Sequence, residues 1–376
     1  MDTTWYALRH PDTVDSPALL VYPDRVRENI RLAVAMAGGP QRLRPHVKTC
    51  KAAEPVAMMR EAGITRFKCA TIAEAELLGQ CGAPDVLLAY QPVGPKIRRL
   101  AALIRRYPDT RFSCLADDPL AARELSREFS ALSLRVPVYL DLNLGMNRTG
   151  IAPGSQAVQL YTLLASLPGL EPAGLHAYDG HLRDRDLAVR QARCEALFSQ
   201  VLDLQRELLG RGLPVPGLVA GGSPTFPIHA QHPDRECSPG TFVYWDHGYT
   251  ELCPEQAFQP AALLLTRVIS LPAPDRVCLD LGHKSVAAEN ELERRVRLLG
   301  SGAEAEAGTW RPVSQSEEHL VLEAPVGHGC RVGDVLYGIP YHICPTVALY
   351  ERAMAVQNGE VTATWRTLAR DRQLST

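Results

Sequence analysis

Hydrophobic and polar positions follow two different patterns along this chain. Up to about residue 258, short apolar runs typical of buried strands are followed by segments whose apolar residues recur every three or four positions, which is the spacing of a helix. DVLLAYQ (85–91) followed by PKIRRLAALIRRYP (95–108) is a clear example. The succession repeats about eight times and therefore predicts a parallel (β/α)8 barrel of the TIM type.

The pattern changes near residue 260. RVISLPAPDRVCLDLGHKSV (267–286), EEHLVLEA (317–324) and GDVLYGIPYHICPTV (333–347) are typical of antiparallel strands joined by turns, and we expect no helices between them. We therefore predict two domains. Residues 21–258 form the barrel, and residues 1–20 together with 259–376 form a mainly antiparallel β domain.

Composition and charge restrict the kind of partner. The chain has 376 residues, of which 46% are hydrophobic and 22% charged, and 40 basic against 42 acidic residues give a formal net charge of -2. Such a chain has no basic field for nucleic acid or an anionic membrane, so we expect a small-molecule partner. The 10 cysteines include no CxxC pair, and the chain has neither a secretory leader nor a long apolar run. These features are typical of a soluble, cytoplasmic protein.

The stretch RPHVKTCK (44–51) places a lysine where the first barrel strand should end. Catalytic groups in this fold lie at the carboxyl ends of strands. A lysine sheltered there can have a lowered pKa and form a Schiff base with an aldehyde cofactor, which makes Lys48 a catalytic candidate. The alternative is a structural lysine whose stem is buried and whose charge pairs with a nearby carboxylate.

Three later segments supply further candidates. In VAGGSPTF (219–226) the two glycines allow close approach of the backbone, and two hydroxyls add donors, so the loop could hold a phosphate or could be only a turn. Arg148, in LDLNLGMNRTGI, can donate to a phenolate, carboxylate or phosphate, although a solvated loop arginine is commoner. GLHAYDGHLRDRD places His176, Tyr178 and His181 at another strand end, where histidine can move protons and tyrosine can contact a ring.

A possible metal site lies in PYHICPTVALY (340–350). His342 and Cys344 are separated by one residue, so in an extended segment both side chains leave the same face and can bind one divalent ion. Imidazole with thiolate favours zinc over a hard cation. Two ligands are fewer than a zinc site normally has, so an incidental pair is the alternative.

Taken together, RPHVKT, GMNRTG, GGSPT followed by CSPGTF, EEH (317–319) and PYHICPT resemble, in order and spacing, the D-threonine aldolase and D-serine dehydratase-like family. These are pyridoxal phosphate enzymes of fold type III. The resemblance covers nearly the whole chain. It implies an alanine racemase-like barrel with a β domain and a homodimer whose active sites form between subunits.

The resemblance also implies roles for residues of this chain. Lys48 would be the Schiff-base lysine, with Arg148 and Tyr178 near the cofactor ring, and the phosphate would be held by Gly221, Gly222, Ser223 and Thr225. His342 and Cys344 would bind a divalent metal, which we expect to be zinc, with manganese or magnesium as alternatives. We place His181 with Lys48 and Tyr178 among the catalytic candidates.

Two departures from the family pattern concern the reaction. Cys50 stands where the family usually has a second histidine after HVKT, and Cys344 follows the dehydratases, whereas the aldolases usually carry an aspartate there. AYDGH (177–181) is nearer to the aldolases.

Our leading prediction is a lyase that cleaves D-3-hydroxy amino acids, as D-threonine aldolase does, to glycine and an aldehyde. The alternative within the family is a zinc-dependent dehydratase of D-serine or D-3-hydroxyaspartate that yields a 2-oxo acid and ammonia. A metal-free racemase and a non-catalytic pyridoxal phosphate carrier are the further alternatives.

Overall fold

The computed structural model describes residues 5–299 and 310–375. The chain forms two compact units. One comprises residues 31–48, 56–240 and 371–376, and the other comprises residues 1–30, 49–55 and 241–370. The predicted boundary between independently folding domains, at residue 258, stays a prediction.

The described residues form strands and helices as follows. The strands are Ala18–Val21 (β1), Arg66–Cys69 (β2), Asp85–Leu88 (β3), Arg111–Ala116 (β4), Val136–Asn143 (β5), Leu170–Tyr178 (β6), Gly217–Ala220 (β7), Glu236–Cys237 (β8), Ala262–Ala273 (β9), Arg276–Leu279 (β10), Val296–Leu299 (β11), Arg311–Gln315 (β12), Leu320–Glu323 (β13), Val335–Pro340 (β14), Arg352–Gln357 (β15) and Glu360–Arg366 (β16). The α-helices are Pro23–Ala37 (α1), Ala53–Glu61 (α2), Ile72–Gln80 (α3), Pro95–Arg106 (α4), Pro119–Ala131 (α5), Ser155–Ser166 (α6), Leu187–Gly210 (α7), Phe226–His229 (α8), His247–Leu252 (α9) and Ile343–Leu349 (α10).

The parallel sheet is the predicted barrel. Its 7 strands, β2 to β8, are neighbours in chain order and all run parallel. Single bridges from Leu43 to Cys237 and from His46 to Lys68 join the segment 43–47 to both edge strands. With the 7 strands this segment makes a ring of eight, so the predicted barrel architecture is confirmed.

The segment 43–49 differs from our prediction of a strand. Only isolated bridges form there, and the chain turns from Val47 onwards. Pro45 has no N–H to donate, so a continuous hydrogen-bonded ladder cannot form on both sides. Its carbonyl nevertheless accepts a hydrogen bond from the Lys68 N–H at 2.8 Å. Lys48 therefore lies in a turn directly after the closing segment.

Apolar side chains from successive strands fill the barrel interior. Leu87, Leu115, Tyr139, Ala173 and Val219 pack together there, and all of them are buried. They come from strands β3 to β7, as the layered filling of such barrels requires.

The second unit contains a mainly antiparallel sheet of 9 strands, as predicted. Its central path runs β12-β13-β10-β9-β1-β15-β16, with β14 pairing with both β9 and β11. Among the described strands of this path, β1 and β15 form the one parallel pair. Its core includes Leu20, Leu263 and Tyr337. Among the described residues, no helix is both long and apolar enough to cross a membrane.

One expectation for this region was wrong. We expected no helices among the late strands, but Ile343–Leu349 is helical, with His342 at its N-cap position. Thr346 and Val347 are buried, so tertiary packing holds this helix.

Candidate active site

A cavity of about 640 Å³ opens at the carboxyl ends of the barrel strands, where this fold places its chemistry. This volume is within the usual range for small-molecule sites. Its wall combines polar side chains at strand ends with apolar side chains. The residues that line it include His46, Lys48, Lys68, Tyr90, Gln91, Leu115, Asp117, Asp141, Asn143, Met146, Arg148, Thr149, His176, Tyr178 and Arg372.

The cavity brings together four of the residues that the sequence indicated. Lys48, Arg148, His176 and Tyr178 all line it, although they come from three separate segments of the barrel. The Arg148 guanidinium carbon lies 5.0 Å from the centre of the Tyr178 ring, which is a cation–π distance. The Lys48 side chain is half-buried, and its backbone N–H donates to His46 Nδ1 at 3.3 Å.

Two glycines make room for the Tyr178 ring. A Cβ atom added to Gly180 would lie 2.1 Å from the Tyr178 hydroxyl, and one added to Gly222 would lie 2.8 Å from a ring carbon. Any larger residue would displace the ring. The Gly-Gly loop after β7 therefore lies directly against Tyr178.

A buried aspartate, Asp179, holds the loop 221–225. We call this loop the phosphate-type loop, because it is the predicted phosphate-binding segment. The Thr225 hydroxyl donates to Asp179 Oδ1 at 2.6 Å and accepts from the Gly222 N–H at 3.3 Å. His229 Nε2–H donates to Asp179 Oδ2 at 2.8 Å. Burial by itself would raise the pKa of Asp179, but His229, Thr225 and Cys194 hold it below its ordinary value. Thr225 thus shapes the loop, and its direct contact with a phosphate stays a prediction.

The loop residues and His181 are not among the described residues that line the cavity. Ser223 is buried, and the Gly221 N–H donates to the Ala177 carbonyl at 2.9 Å. His181 is half-buried and lies near Gly145. Its catalytic role stays a prediction, as do the phosphate contacts of the loop.

Sequence reasoning missed a second lysine in the cavity wall. Lys68, near the end of β2, is only 2% exposed, and its Nζ lies 3.5 Å from His176 Nε2. His176 Nδ1–H in turn donates to Asp141 Oδ1 at 2.7 Å. The available signal was a lysine inside the apolar run RFKCATI, where an unpaired charge is costly.

The pKa values of this group follow from burial. Desolvation, followed by the charge of Lys48, lowers the pKa of Lys68 to about 7. Burial lowers the pKa of His176 despite the opposing effect of Asp141. Burial alone would raise the pKa of Asp141, but its hydrogen bond and charge interaction with His176 lower it. A lysine with a lowered pKa therefore lies near the end of β2.

His342 and Cys344 are in contact, although not on an extended strand. Cys344 is the second residue of α10, and its side chain is hydrogen-bonded to that of His342. His342 Nδ1 lies 2.5 Å from Glu289 Oε1. Burial would lower the pKa of His342, but Cys344, Glu289 and Asp246 raise it to about 9. The pair therefore has the donor types that we predicted for a metal, in a different backbone setting.

A second group of metal-binding residue types occurs in the barrel unit. Ligand atoms of Asp179, Cys194 and His229 lie within 4.8 Å of one another, and all three residues are buried. His229 Nδ1 accepts a hydrogen bond from the Arg235 guanidinium at 3.1 Å, so a positive charge is already adjacent. This group is better explained as the support of the phosphate-type loop.

A closed parallel barrel with a lysine, an arginine and a tyrosine in one strand-end cavity, followed by an antiparallel sheet, defines an alanine racemase-like enzyme. Family comparisons agree with this class. The alanine racemase N-terminal domain matches residues 21–247, and a serine dehydratase domain matches residues 261–356. Since the first match covers more than half of the chain, the chain belongs to the alanine racemase N-terminal domain family.

Individual relatives cover nearly the whole chain. A D-threonine aldolase from Arthrobacter sp. is 27% identical over 368 residues, which are 95% of this chain and 93% of the relative. A D-threo-3-hydroxyaspartate dehydratase from Delftia sp. is 26% identical, over 95% of this chain and 98% of the relative. The crystal structure of D-threonine aldolase from Filomicrobium marinum is 26% identical and superposes with a TM-score of 0.86 over 95% of each chain.

These findings confirm the resemblance and the alanine racemase-like fold. They also confirm the prediction of a lyase of the pyridoxal phosphate-dependent aldolase and dehydratase group, since the relatives are named for one or the other reaction.

Proposed function

We propose that the protein is a pyridoxal phosphate- and divalent metal-dependent lyase of D-3-hydroxy amino acids that cleaves them, as D-threonine aldolase does, to glycine and an aldehyde. The observation that carries the proposal is the presence of Lys48, Arg148 and Tyr178 in one cavity at the barrel strand ends. The aldolase relatives from Arthrobacter sp. and Filomicrobium marinum favour this reaction.

The residues of the cavity fit the cofactor. Lys48 provides an amine in the wall of a cavity large enough for a small aldehyde, and Arg148 provides a permanent positive charge. Gly222 leaves no side chain between the loop backbone and Tyr178. When bound, pyridoxal phosphate withdraws electrons from the bonds to the amino acid Cα.

The protein groups then have separate tasks. Lys48 would hold the cofactor through its Nζ, which could also carry a proton when it is not bonded to the cofactor. Arg148 would stabilise a nearby anionic oxygen through the N–H donors of its guanidinium. Tyr178, fixed between Gly180, Gly222 and the Arg148 guanidinium, provides a ring surface of set orientation.

We propose zinc at His342 and Cys344. Imidazole and thiolate are ligands that zinc prefers, and Glu289 is placed to orient the His342 ring, as carboxylates commonly do for metal-binding histidines. Cys344 Sγ also lies 3.1 Å from Thr49 Oγ1. A bound zinc ion would supply Lewis acidity toward a substrate hydroxyl.

The dehydratase reaction is the second candidate. Cys344 favours it, because a thiolate is softer than the carboxylate that the family's aldolases usually carry at this position. The relative from Delftia sp. is itself a dehydratase of a 3-hydroxy amino acid. The two reactions break different bonds to the substrate Cα, so their products separate them.

The test is to identify the products from D-threonine, D-serine and D-3-hydroxyaspartate with the purified protein. Glycine and an aldehyde support the aldolase, and a 2-oxo acid with ammonia supports the dehydratase. Lys48→Ala should abolish either activity, while Lys284→Ala, whose lysine is paired with Glu317 at the surface, should retain it. Racemisation alone, or no turnover of any D-amino acid, would contradict the proposal.

We also propose that the protein is a homodimer, as its family resemblance implies, and that it is cytoplasmic, as its cysteines without a CxxC pair indicate. Sedimentation at micromolar concentration should give about twice the chain mass of 41.2 kDa. A single species of the chain mass would contradict the dimer.

A further inference from the structure

Lys68 is a buried amine that lines the candidate active-site cavity. Lys68 is 2% exposed, and among the described residues its Nζ has one hydrogen-bonding partner, His176 Nε2, at the long distance of 3.5 Å. His176 Nδ1 is engaged with Asp141, so Nε2 is the ring atom that accepts from Lys68. The hydrogen bond to Asp141 fixes the orientation of the His176 ring, and the ring in turn positions the Lys68 amine.

No carboxylate lies within ion-pair distance of Lys68 in the part of the chain that the structure describes. Asp141 accepts hydrogen bonds from His176 and Thr149. Asp179 accepts hydrogen bonds from Thr225 and His229. A buried lysine without an anion is costly, and buried groups with strongly perturbed pKa values are concentrated at functional sites. The other charged or titratable groups near Lys68 are Lys48, Arg44, Asp141, Asp179, His176 and Tyr178, whose ring centre lies 5.7 Å from the Lys68 Nζ.

We propose that Lys68 binds an anionic oxygen of the molecule held at Lys48, and that the Asp141–His176 pair positions it for this task. The inference rests on the proposed function. An anionic oxygen can come from the cofactor, as a phenolate or phosphate, or from the carboxylate of the amino acid. Either would provide the missing negative partner inside a low-dielectric cavity, where a charge-assisted hydrogen bond is strong.

Binding of that oxygen requires the ammonium form of Lys68. Burial and Lys48 lower the pKa of Lys68 to about 7, so at pH 8 the free amine predominates. An arriving anion favours the charged form and therefore makes Lys68 take up a proton. Ligand binding at pH 8 should thus be accompanied by uptake of close to one proton per site, and the uptake should decrease as the pH is lowered below 7.

The variant that tests this is Lys68→Met, which keeps an unbranched chain of similar length without the charge. Lys284→Met, outside the cavity, is the matched control. Two dissociation constants are measured for each protein. That for pyridoxal phosphate comes from the visible absorbance, and that for D-threonine or D-3-hydroxyaspartate comes from the spectral change of the cofactor-loaded protein. Calorimetry of wild-type binding in two buffers of different ionisation enthalpy gives the proton uptake and needs no variant.

If the oxygen belongs to the cofactor, Lys68→Met weakens pyridoxal phosphate binding by about 10- to 100-fold, the loss typical of a hydrogen bond to a charged group. If it belongs to the amino acid, cofactor affinity stays unchanged and D-amino acid binding weakens by a similar factor. In both cases the proton uptake at pH 8 disappears in the variant and persists in Lys284→Met. Lys68→Arg, which restores a cation, should recover part of the affinity.

Both dissociation constants within twofold of wild type, or no proton uptake by the wild type at pH 8, would overturn the role of Lys68. Failure of the proposed function looks different. In that case Lys68→Met still weakens ligand binding and removes the proton uptake as described above. However, no D-3-hydroxy amino acid is converted to an aldehyde or a 2-oxo acid.

Discussion

Replacing Asp179 with asparagine should destabilise the protein and loosen the loop that we assign to the cofactor phosphate. Asp179 is 2% exposed and accepts hydrogen bonds on both oxygens, from Thr225 on one and from His229 on the other. Asparagine offers only one accepting oxygen. Its amide nitrogen would face either the Thr225 hydroxyl or the His229 N–H, and both of these are donors.

His229 cannot resolve this conflict by moving its proton to Nδ1. That nitrogen accepts from the Arg235 guanidinium at 3.1 Å, so a proton there would face a second donor. At least one buried hydrogen bond to a charged group is therefore lost, and one donor is left without a partner. Together these effects cost about 3 kcal/mol.

Urea titration of wild type and Asp179→Asn gives the change in the free energy of unfolding. Asp203→Asn, which removes an exposed partner of Arg206, is the matched control and should change it by no more than about 0.5 kcal/mol. The affinity for pyridoxal phosphate should also fall in Asp179→Asn, because Thr225 loses the bond that orients it. A loss below 1 kcal/mol together with unchanged cofactor affinity would refute this account of the loop.

Three further outcomes are expected. Arg44→Met should cost about 2–3 kcal/mol in urea titration, because Arg44 is 1% exposed and its loss leaves Asp85 and Glu236 to the exposed arginines Arg111 and Arg66; a change within 1 kcal/mol would contradict this. The Lys68 pKa of about 7 lies below the ordinary lysine value, so between pH 7 and about pH 10 the Lys68 amine carries a proton in the unfolded chain but not in the folded one. The free energy of unfolding should therefore rise with pH across that window. Lys68→Met should remove this contribution. Cys344→Ala should weaken zinc binding by at least about 100-fold in competition with a chelator, whereas Cys344→Asp should shift the preference toward manganese or magnesium; full zinc content in Cys344→Ala would exclude this residue as a ligand.

The barrel could be predicted from the sequence because its signals are local. Each strand is a short apolar run, and each helix carries an apolar face with three- and four-residue spacing, so the succession from β2 to α7 follows from the chain itself. The convergence of Lys48, Arg148 and Tyr178 on one cavity could be predicted for a related reason. Strand-end positions in such a barrel converge on one face wherever they lie in the chain.

Features that depend on long-range packing could not be predicted in the same way. The periodicity of PYHICPTVALY resembles that of a strand, but the burial of Thr346 and Val347 stabilises a short helix instead. Arg372 lies in a polar tail with no pattern of its own, yet it lines the cavity, and its carbonyl accepts from Arg99 at 3.0 Å. Burial and the charge of Lys48, from a distant segment, lower the pKa of Lys68, so this lowered pKa depends on long-range packing that no local motif shows.

The closing segment of the barrel has a consequence for the order of folding. The Ser238 hydroxyl donates to the Arg44 carbonyl across a separation of 194 residues, and Leu43 pairs with Cys237 beside it. Contacts of such long sequence separation form late, because the loop between them must first be ordered. During synthesis on the ribosome, the turn that contains Lys48 therefore cannot be fixed until the chain has been made past residue 238. The amine that we assign to the cofactor acquires its final position only when the barrel closes, so nascent and incomplete chains cannot hold the cofactor in its working orientation.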